Sequence, residues 1–254
     1  MSNSHIQTVA ILTQYNARSL NEHLSSSKWW NFGRKQGGLF LFTPTVTADN
    51  SDWYRGTADA MYQNIDFLKR RHEPYVIISS GDCVYKLDFN RVLDFHIEKK
   101  SDITVVCKDM MYNDDVSRFG VVRMDEESRI TEFDEKPIEA SSNTISTGIY
   151  VIRRRQLIEL LEAAAEENRF DFVNDILVRY KNVKKIYGYK INSYWNNIAD
   201  IDAYFKTNMD FLRPDVRSYF FREEPTICSK VDDLPPAKFN PGSDISVSYT
   251  HLRA

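Results

Sequence analysis

Residues 75–86 read YVIISSGDCVYK, and the fold turns on how they are read. Val76, Ile77 and Ile78 make a short continuous apolar run, the pattern of a strand buried on both faces of a parallel sheet. Asp82 then falls at the strand's C-terminal end, and in open α/β sheets ligands bind outside those ends. Gly81 lets the backbone approach a ligand closely. A carboxylate placed there suits Mg²⁺, a hard cation that takes oxygen ligands and shares them with substrate phosphates. An ordinary turn with a helix cap fits the same residues, so the rest of the chain has to choose.

The flanking chain has the materials of an α/β fold. Its 254 residues allow one large domain or two small ones, and 42% hydrophobic content supplies a substantial core. A net charge of -3 without a basic block argues against nucleic-acid binding by phosphate neutralisation. Cys83, Cys107 and Cys228 are far apart, with no C-x-x-C spacing, and read as reduced thiols without a disulfide framework or zinc site. The apolar runs are too short to span a bilayer, and no signal-peptide pattern opens the chain. The expectation is a soluble, cytoplasmic protein.

Outward from the central stretch, Thr8 to Leu12 and Leu39 to Phe42 are further strand patterns, with Asn16 placed to cap a helix carrying Leu20 and Leu24. Trp53 to Ala60 reads WYRGTADA; Thr57 stands as N-cap, and Ala58, Met61, Ile65 and Leu68 follow at helical spacing. A helix start preceded by glycine suits phosphate or another anion, because its first amides lack partners inside the helix; a capped surface helix is the alternative. Asp88 caps a helix bearing Val92, Leu93 and His96, the histidine reading as a core-edge or surface residue and not a ligand. Asp102 to Cys107 is a strand, and Phe119 to Phe133 a hairpin turning through Asp125 to Ser128. It ends in Glu135, Lys136 and Pro137, where the charged pair could reach a sugar hydroxyl and a phosphate, or stand solvated. Thr144 to Ile152 is another strand, followed by a helix near Leu157 to Ala165. A second helix, capped at Asp171, turns Phe172, Ile176 and Tyr180 inward. Lys184 to Tyr189 is a strand, and Asp200 caps a helix running through Tyr204, Phe205 and Leu212.

Taken together in order, WYRGTADA, SGDCVYK, RFGVV, EFDEKP, STGIYVI, YWNNIADIDAY and PPAKF resemble the glucose-1-phosphate adenylyltransferase (ADP-glucose pyrophosphorylase) family over roughly residues 4–247. Within it the chain looks closest to the regulatory-type second subunit that certain bacteria carry for glycogen biosynthesis. The resemblance implies a Rossmann-like nucleotidyltransferase domain with a mixed, mostly parallel sheet, over 1–213. Residues 214–247 would be a linker leading toward a left-handed β-helix that the chain lacks, and 248–254 a non-native tail. The family's first strand and glycine-rich phosphate loop have no counterpart before Thr8. That strand would lie mid-sheet, so two edges should stand unpaired.

The family reaction is attack of glucose 1-phosphate on the α-phosphorus of ATP, giving ADP-glucose and pyrophosphate with Mg²⁺ neutralising the developing charge. Carried over by position, the resemblance makes Asp82 the metal-binding carboxylate and Lys136 the binder of the sugar phosphate. Glu135 and Ser146 would contact glucose, Gly120 would allow close backbone approach, and Tyr54, Arg55, Gly56, Thr57 and Gly81 would lie by the nucleotide. Where catalytic members have a second metal-binding aspartate, this chain has Asn197, which offers an oxygen but no charge. Val173 and Asn174 stand where they have Gly and Lys. Asp200 is a candidate substitute ligand, but a helix cap accounts for it. These departures point to a non-catalytic subunit working with a catalytic partner in a hetero-oligomer, a tetramer by family habit. A parent chain that catalyses the transfer with an altered metal site is the alternative, and a UTP- or dTTP-using relative the more distant one. Trp29, Trp30 and Phe32 could serve an interface or pack on their own core.

Overall fold

The computed structural model describes residues 1–25, 29–33, 37–45, 53–111, 115–225, 227 and 235. Cys228, the PPAKF motif beyond Pro235, and the tail 248–254 lie outside the described residues.

The architecture is mixed α/β, and its hub is β8 (Thr144–Arg153), not the 75–79 strand. Along one edge of β8 runs β5 (Ile103–Asp109), antiparallel from Ile103↔Ile152 to Asp109↔Thr144. The other edge is shared end to end. β3 (Tyr75–Ser79) pairs with Ile149 to Arg153, and β6 (Gly120–Met124) meets Ile145 through Val121. β9 (Ile186–Lys190) lies parallel to β5, and β7 (Ile130–Glu135) closes the hairpin on β6. β3, β5, β6 and β9 therefore run one way in this six-stranded sheet, with β7 and β8 opposed.

The apolar runs follow from cover on both faces. One face packs Ile103, Val105, Val122, Phe133 and Ile152 against Leu157 and Leu161 of α5 (Arg154–Glu166) and against Phe172 and Ile176. The opposite face packs Val106, Val121, Ile145, Ile149 and Val151 against Phe89 and Val92 of α4 (Phe89–Glu98), with Trp195. Asp88 caps α4 as expected, accepting from the Asn90 N–H at 3.0 Å. His96 is fully buried, its Nδ1 2.9 Å from the Thr104 hydroxyl, and so belongs to the core rather than its edge.

Two small sheets flank this core. β1 (Thr8–Leu12) pairs in parallel with β2 (Gly38–Phe42), and β4 (Cys83–Tyr85) pairs antiparallel with β10 (Trp195–Asn197). Among the described residues, the second edges of β1 and β3 carry no strand.

Several local expectations need correction. β3 is half-buried and its ladder partner is antiparallel, so its apolar run does not mark a strand enclosed in a parallel sheet. Asn16 precedes α1 (Ala17–Leu24) in a left-handed conformation and makes no side-chain cap bond. The helix of the WYRGTADA segment starts at Thr57 with Gly56 as cap residue, and it breaks at Asn64 into α2 (Thr57–Gln63) and α3 (Ile65–Lys69). The Asn64 amide donates back to the Ala60 carbonyl at 2.9 Å, competing with the helical ladder there. Val173–Val178 is a π-helical turn. The aromatic face of α6 (Ile201–Asp210) points to solvent: Tyr204 is 58% and Phe205 63% exposed. The segment read as a linker opens with α7 (Pro214–Phe221), whose Val216 and Phe220 are buried.

Candidate ligand site

The exit of β3 is set by β8. The Ser80 N–H donates to the Gly148 carbonyl at 2.9 Å, and Gly148 takes φ +74°, a region glycine enters without penalty. A side chain at Gly148 would place its Cβ 3.0 Å from that of Ser80. The chain then turns through Gly81, over which a Cβ would meet nothing within 4 Å, leaving open space beside Asp82.

Asp82 lies between β3 and β4, and the Ile198 N–H donates to its carbonyl at 2.8 Å, continuing the β4–β10 ladder that sets Asn197 opposite Cys83. The Ser80 hydroxyl donates to Oδ1 of Asp82, and the Cys83 thiol donates to the same oxygen at 3.3 Å. Partial desolvation alone would raise this carboxyl, but hydrogen bonds from Ser80, Asn197 and Cys83 outweigh it and hold Asp82 below the usual aspartate value. Burial, with the Asp82 charge second, pushes the Cys83 thiol up to about 12, so it stays a protonated donor and is not a nucleophile.

Asn197 is oriented by its neighbours. Its Nδ2 donates to the Asp82 carbonyl at 3.2 Å and lies 3.8 Å from the Cys83 sulfur, while its Oδ1 accepts from the Ala199 N–H at 3.0 Å. The opposite setting of the amide would face acceptor with acceptor at Asp82 and donor with donor at Ala199. The corner therefore offers a divalent cation one carboxylate, and the amide oxygen that could join it is committed elsewhere. No cluster of three His, Cys, Asp or Glu residues suited to a metal occurs among the described residues. Asp200 caps α6 through the Ala203 N–H at 2.7 Å and pairs with Arg118 at 2.6 Å, which accounts for its carboxylate. The residues present do not fit a resident Mg²⁺.

Two residues back along β8 from Gly148, the second corner begins. Ser146 is buried, its hydroxyl 3.3 Å from that of Tyr150, and Thr147 between it and Gly148 offers its carbonyl to the Cys83 thiol at 4.0 Å. Glu135 stands opposite Gly120 in the β6–β7 ladder. Burial raises the Glu135 carboxyl above its usual value, against the pull of Lys136, whose ammonium is 3.7 Å away and largely exposed. Burial also raises the Tyr150 phenol, with the charges of Glu135 and Asp171 adding to it. Lys136 adopts φ 49° and donates its N–H to the Phe119 carbonyl at 3.1 Å. Phe119 in turn packs edge-on to Trp195, ring centroids 5.7 Å apart, tying this corner to the strand that carries Asn197.

Gly120, Glu135, Lys136 and Ser146 thus come together, and β8 joins them to Gly81 and Asp82. The WYRGTADA residues are engaged within the protein. The N–H groups of Ala58 and Asp59 both donate to the Phe170 carbonyl, at 2.8 and 3.2 Å, so the expected anion site at this helix start is already occupied by protein. A Cβ on Gly56 would fall 2.4 Å from that same carbonyl oxygen, which is why glycine stands there. Arg55 pairs with the buried Asp59 at 3.1 Å and lies over the Phe170 ring at 3.8 Å. The Thr57 hydroxyl accepts from the Phe172 N–H, and the Tyr54 hydroxyl from Asn64. On the π-helical turn Val173 packs toward the core, while Asn174 is exposed with its N–H on Asp171. Sequence reading passed over Ser80, Tyr150 and Gly148. All three lie inside the quoted motifs SGDCVYK and STGIYVI, but the Ser80–Gly148 pairing needs the β3–β8 ladder. A small cleft lined by Ser2, His5, Ile6, Gln7, Asn31 and Phe32 includes none of these site residues.

The family model described as Nucleotidyl transferase matches residues 1–213. The chain is 36% identical over 237 residues to the glucose-1-phosphate adenylyltransferase of Lachnospira eligens, covering 92% of this chain and 55% of that one. It is 36% identical over 250 residues to the Clostridium acetobutylicum protein of the same name, covering 97% and 66%. The Thermotoga maritima protein of that name is 34% identical, covering 97% and 59%. The chain spans between 55% and 66% of the length of these curated relatives. A Bacillus anthracis crystal structure, of a protein provisionally named a glucose-1-phosphate thymidylyltransferase, superposes with a TM-score of 0.65 at 18% identity, over 82% of this chain and 77% of that one. At that identity the likeness concerns the fold.

Proposed function

The chain belongs to the nucleotidyl transferase family, and from that premise we propose that it is part of a regulatory-type subunit of a glucose-1-phosphate adenylyltransferase, binding glucose 1-phosphate or ADP-glucose without turning it over. The observation that carries the binding is the run Ser146 to Gly148. It joins the Glu135, Lys136 and Gly120 corner to the Asp82 corner on one strand. Each group has a role by its chemistry. The exposed Lys136 ammonium draws a phosphate, half-buried Glu135 accepts from sugar hydroxyls, and the Ser146 and Tyr150 hydroxyls offer neutral donors beside it.

The non-catalytic half of the proposal rests on Asn197, Val173 and Asn174. Asn197 gives its amide hydrogens, not its oxygen, to the Asp82 corner. Phosphoryl transfer depends on positioned charge, and a dipole aimed the wrong way contributes none. In this reading the parent protein acts beside a catalytic subunit in a hetero-tetramer of the cytoplasm, tuning ADP-glucose supply for glycogen. Mg²⁺ would serve the reaction there without a step through this corner.

ADP-glucose formation from ATP and glucose 1-phosphate, with Mg²⁺, tests the proposal on the full-length parent alone and mixed with its catalytic partner. Silence alone, with a changed rate or effector response in the mixture, is the expected result. Turnover by the parent alone would overturn it in favour of an enzyme with an altered metal site.

A further inference from the structure

We infer that the Asp82 corner excludes divalent cations, because Asn197 turns its amide nitrogen toward that corner and commits its oxygen, the atom a cation would need, to the Ala199 N–H. This deepens the reading of the corner as a ligand site and rests on it. Three side chains already donate to Asp82, the Ser80 hydroxyl and the Cys83 thiol to Oδ1 and the Asn197 amide to the carbonyl, which also accepts from the Ile198 N–H. A metal ion would need those positive ends turned away. The Asn197 amide cannot turn alone, since its oxygen is held by the Ala199 N–H and the strand beneath it by the Asn197↔Cys83 pairing. Mg²⁺ sheds its water reluctantly and demands near-octahedral oxygen geometry, and one carboxylate crowded by donors meets that demand poorly.

Two consequences separate this corner from a metal site. Binding of a sugar nucleotide should not depend on divalent cation, since the Asp82 charge is already met by fixed donors. Replacing the amide by a carboxylate should create a metal site, and without metal it should set two carboxylates against each other across the β4–β10 ladder.

The test is Mn²⁺ titration, followed by loss of its free paramagnetic signal, on the whole chain and on Asn197→Asp, with Asp82→Ala as the control that marks uptake at this corner. The unsubstituted chain is expected to show no uptake that Asp82→Ala removes, and Asn197→Asp to bind at least about tenfold more tightly, the scale of a lost or gained ligand-sphere partner. Thermal melting gives an independent readout: Asn197→Asp should melt lower in EDTA and recover in Mg²⁺, while the unsubstituted chain melts alike in both. If Asn197→Asp does not fold, Asn197→Ser removes the two donors without adding charge and should still gain uptake. Uptake by the unsubstituted chain that Asp82→Ala abolishes would overturn the inference, as would the absence of any gain in the folded variant. Calorimetry with ADP-glucose in EDTA and in Mg²⁺ is expected to give the same Kd within about twofold, as the barrier to a cation predicts. Failure of ADP-glucose to bind in either condition would sink the proposed function, while the Mn²⁺ titration would still decide the inference.

Discussion

The carboxylate of Glu135 occupies the space that a side chain at Gly120 would need: a Cβ there would lie 2.9 Å from Glu135 Oε2 and 2.9 Å from the Phe133 ring. The glycine of the RFGVV motif therefore makes room for another protein side chain. Because Phe133 is fixed in the core, the flexible end of Glu135 is what must move.

Gly120→Ala is accordingly expected to destabilise the chain by about 1–3 kcal/mol, as small-to-large changes in packed sites do. Urea unfolding of Gly120→Ala, Glu135→Ala and the double variant checks the cause. The double variant should recover part of the loss, since the shortened residue 135 no longer competes for the space. Equal and additive losses would place the strain on Phe133 instead.

Glu135 also sets a pH dependence. Burial raises its folded-state carboxyl above the usual glutamate value, so the native chain binds the proton more readily than the unfolded one. Stability should then fall as pH rises through the interval above the ordinary glutamate value and level off above the raised one. Glu135→Gln should flatten that stretch of the stability-against-pH curve. If the corner binds a sugar as proposed, the same change should weaken glucose 1-phosphate binding at neutral pH by about tenfold, the scale of a charged hydrogen bond.

His96 acts in the opposite sense. Burial, then the Arg153 charge, lowers its folded-state value to about 4, and its Nε2 has no partner with which to hold a second proton. The unfolded chain binds that proton more readily, so the stabilisation is complete above the ordinary histidine value and is lost as pH falls from there toward 4. The contribution is at most about 3 kcal/mol. Unfolding curves between pH 7 and 4 should lose this slope in His96→Gln, which can keep a hydrogen bond to Thr104.

Arg55 offers a test of structural against nucleotide-binding duty. Its guanidinium is the main partner of Asp59, whose side chain is 2% exposed, with Gln63 also donating at 3.0 Å. Arg55→Ala should cost roughly 2–4 kcal/mol, most of it from the poorly compensated buried carboxylate. Arg55→Ala with Asp59→Asn should recover much of this. A nucleotide-binding role would instead leave stability alone and weaken ATP binding.

Much of the fold was legible because strand and helix periodicity are local properties. The apolar runs at 75–79 and 144–153, the 120–135 hairpin and the Asp88 and Asp200 caps are written in adjacent residues. So was the absence of a second carboxylate at Asn197. Partners are another matter, since they join residues far apart in the chain. Only the folded chain shows β8 shared between β3, β5 and β6, which made β3 an antiparallel, half-buried strand. Only there does the Phe170 carbonyl take the helix-start amides that looked free for phosphate. The sequence by itself determined that residue 197 is neutral; tertiary structure decided which end of its amide meets Asp82. That choice was made by the Ala199 N–H and the Asp82 carbonyl, because hydrogen-bond polarity has to match on both sides of one rigid group.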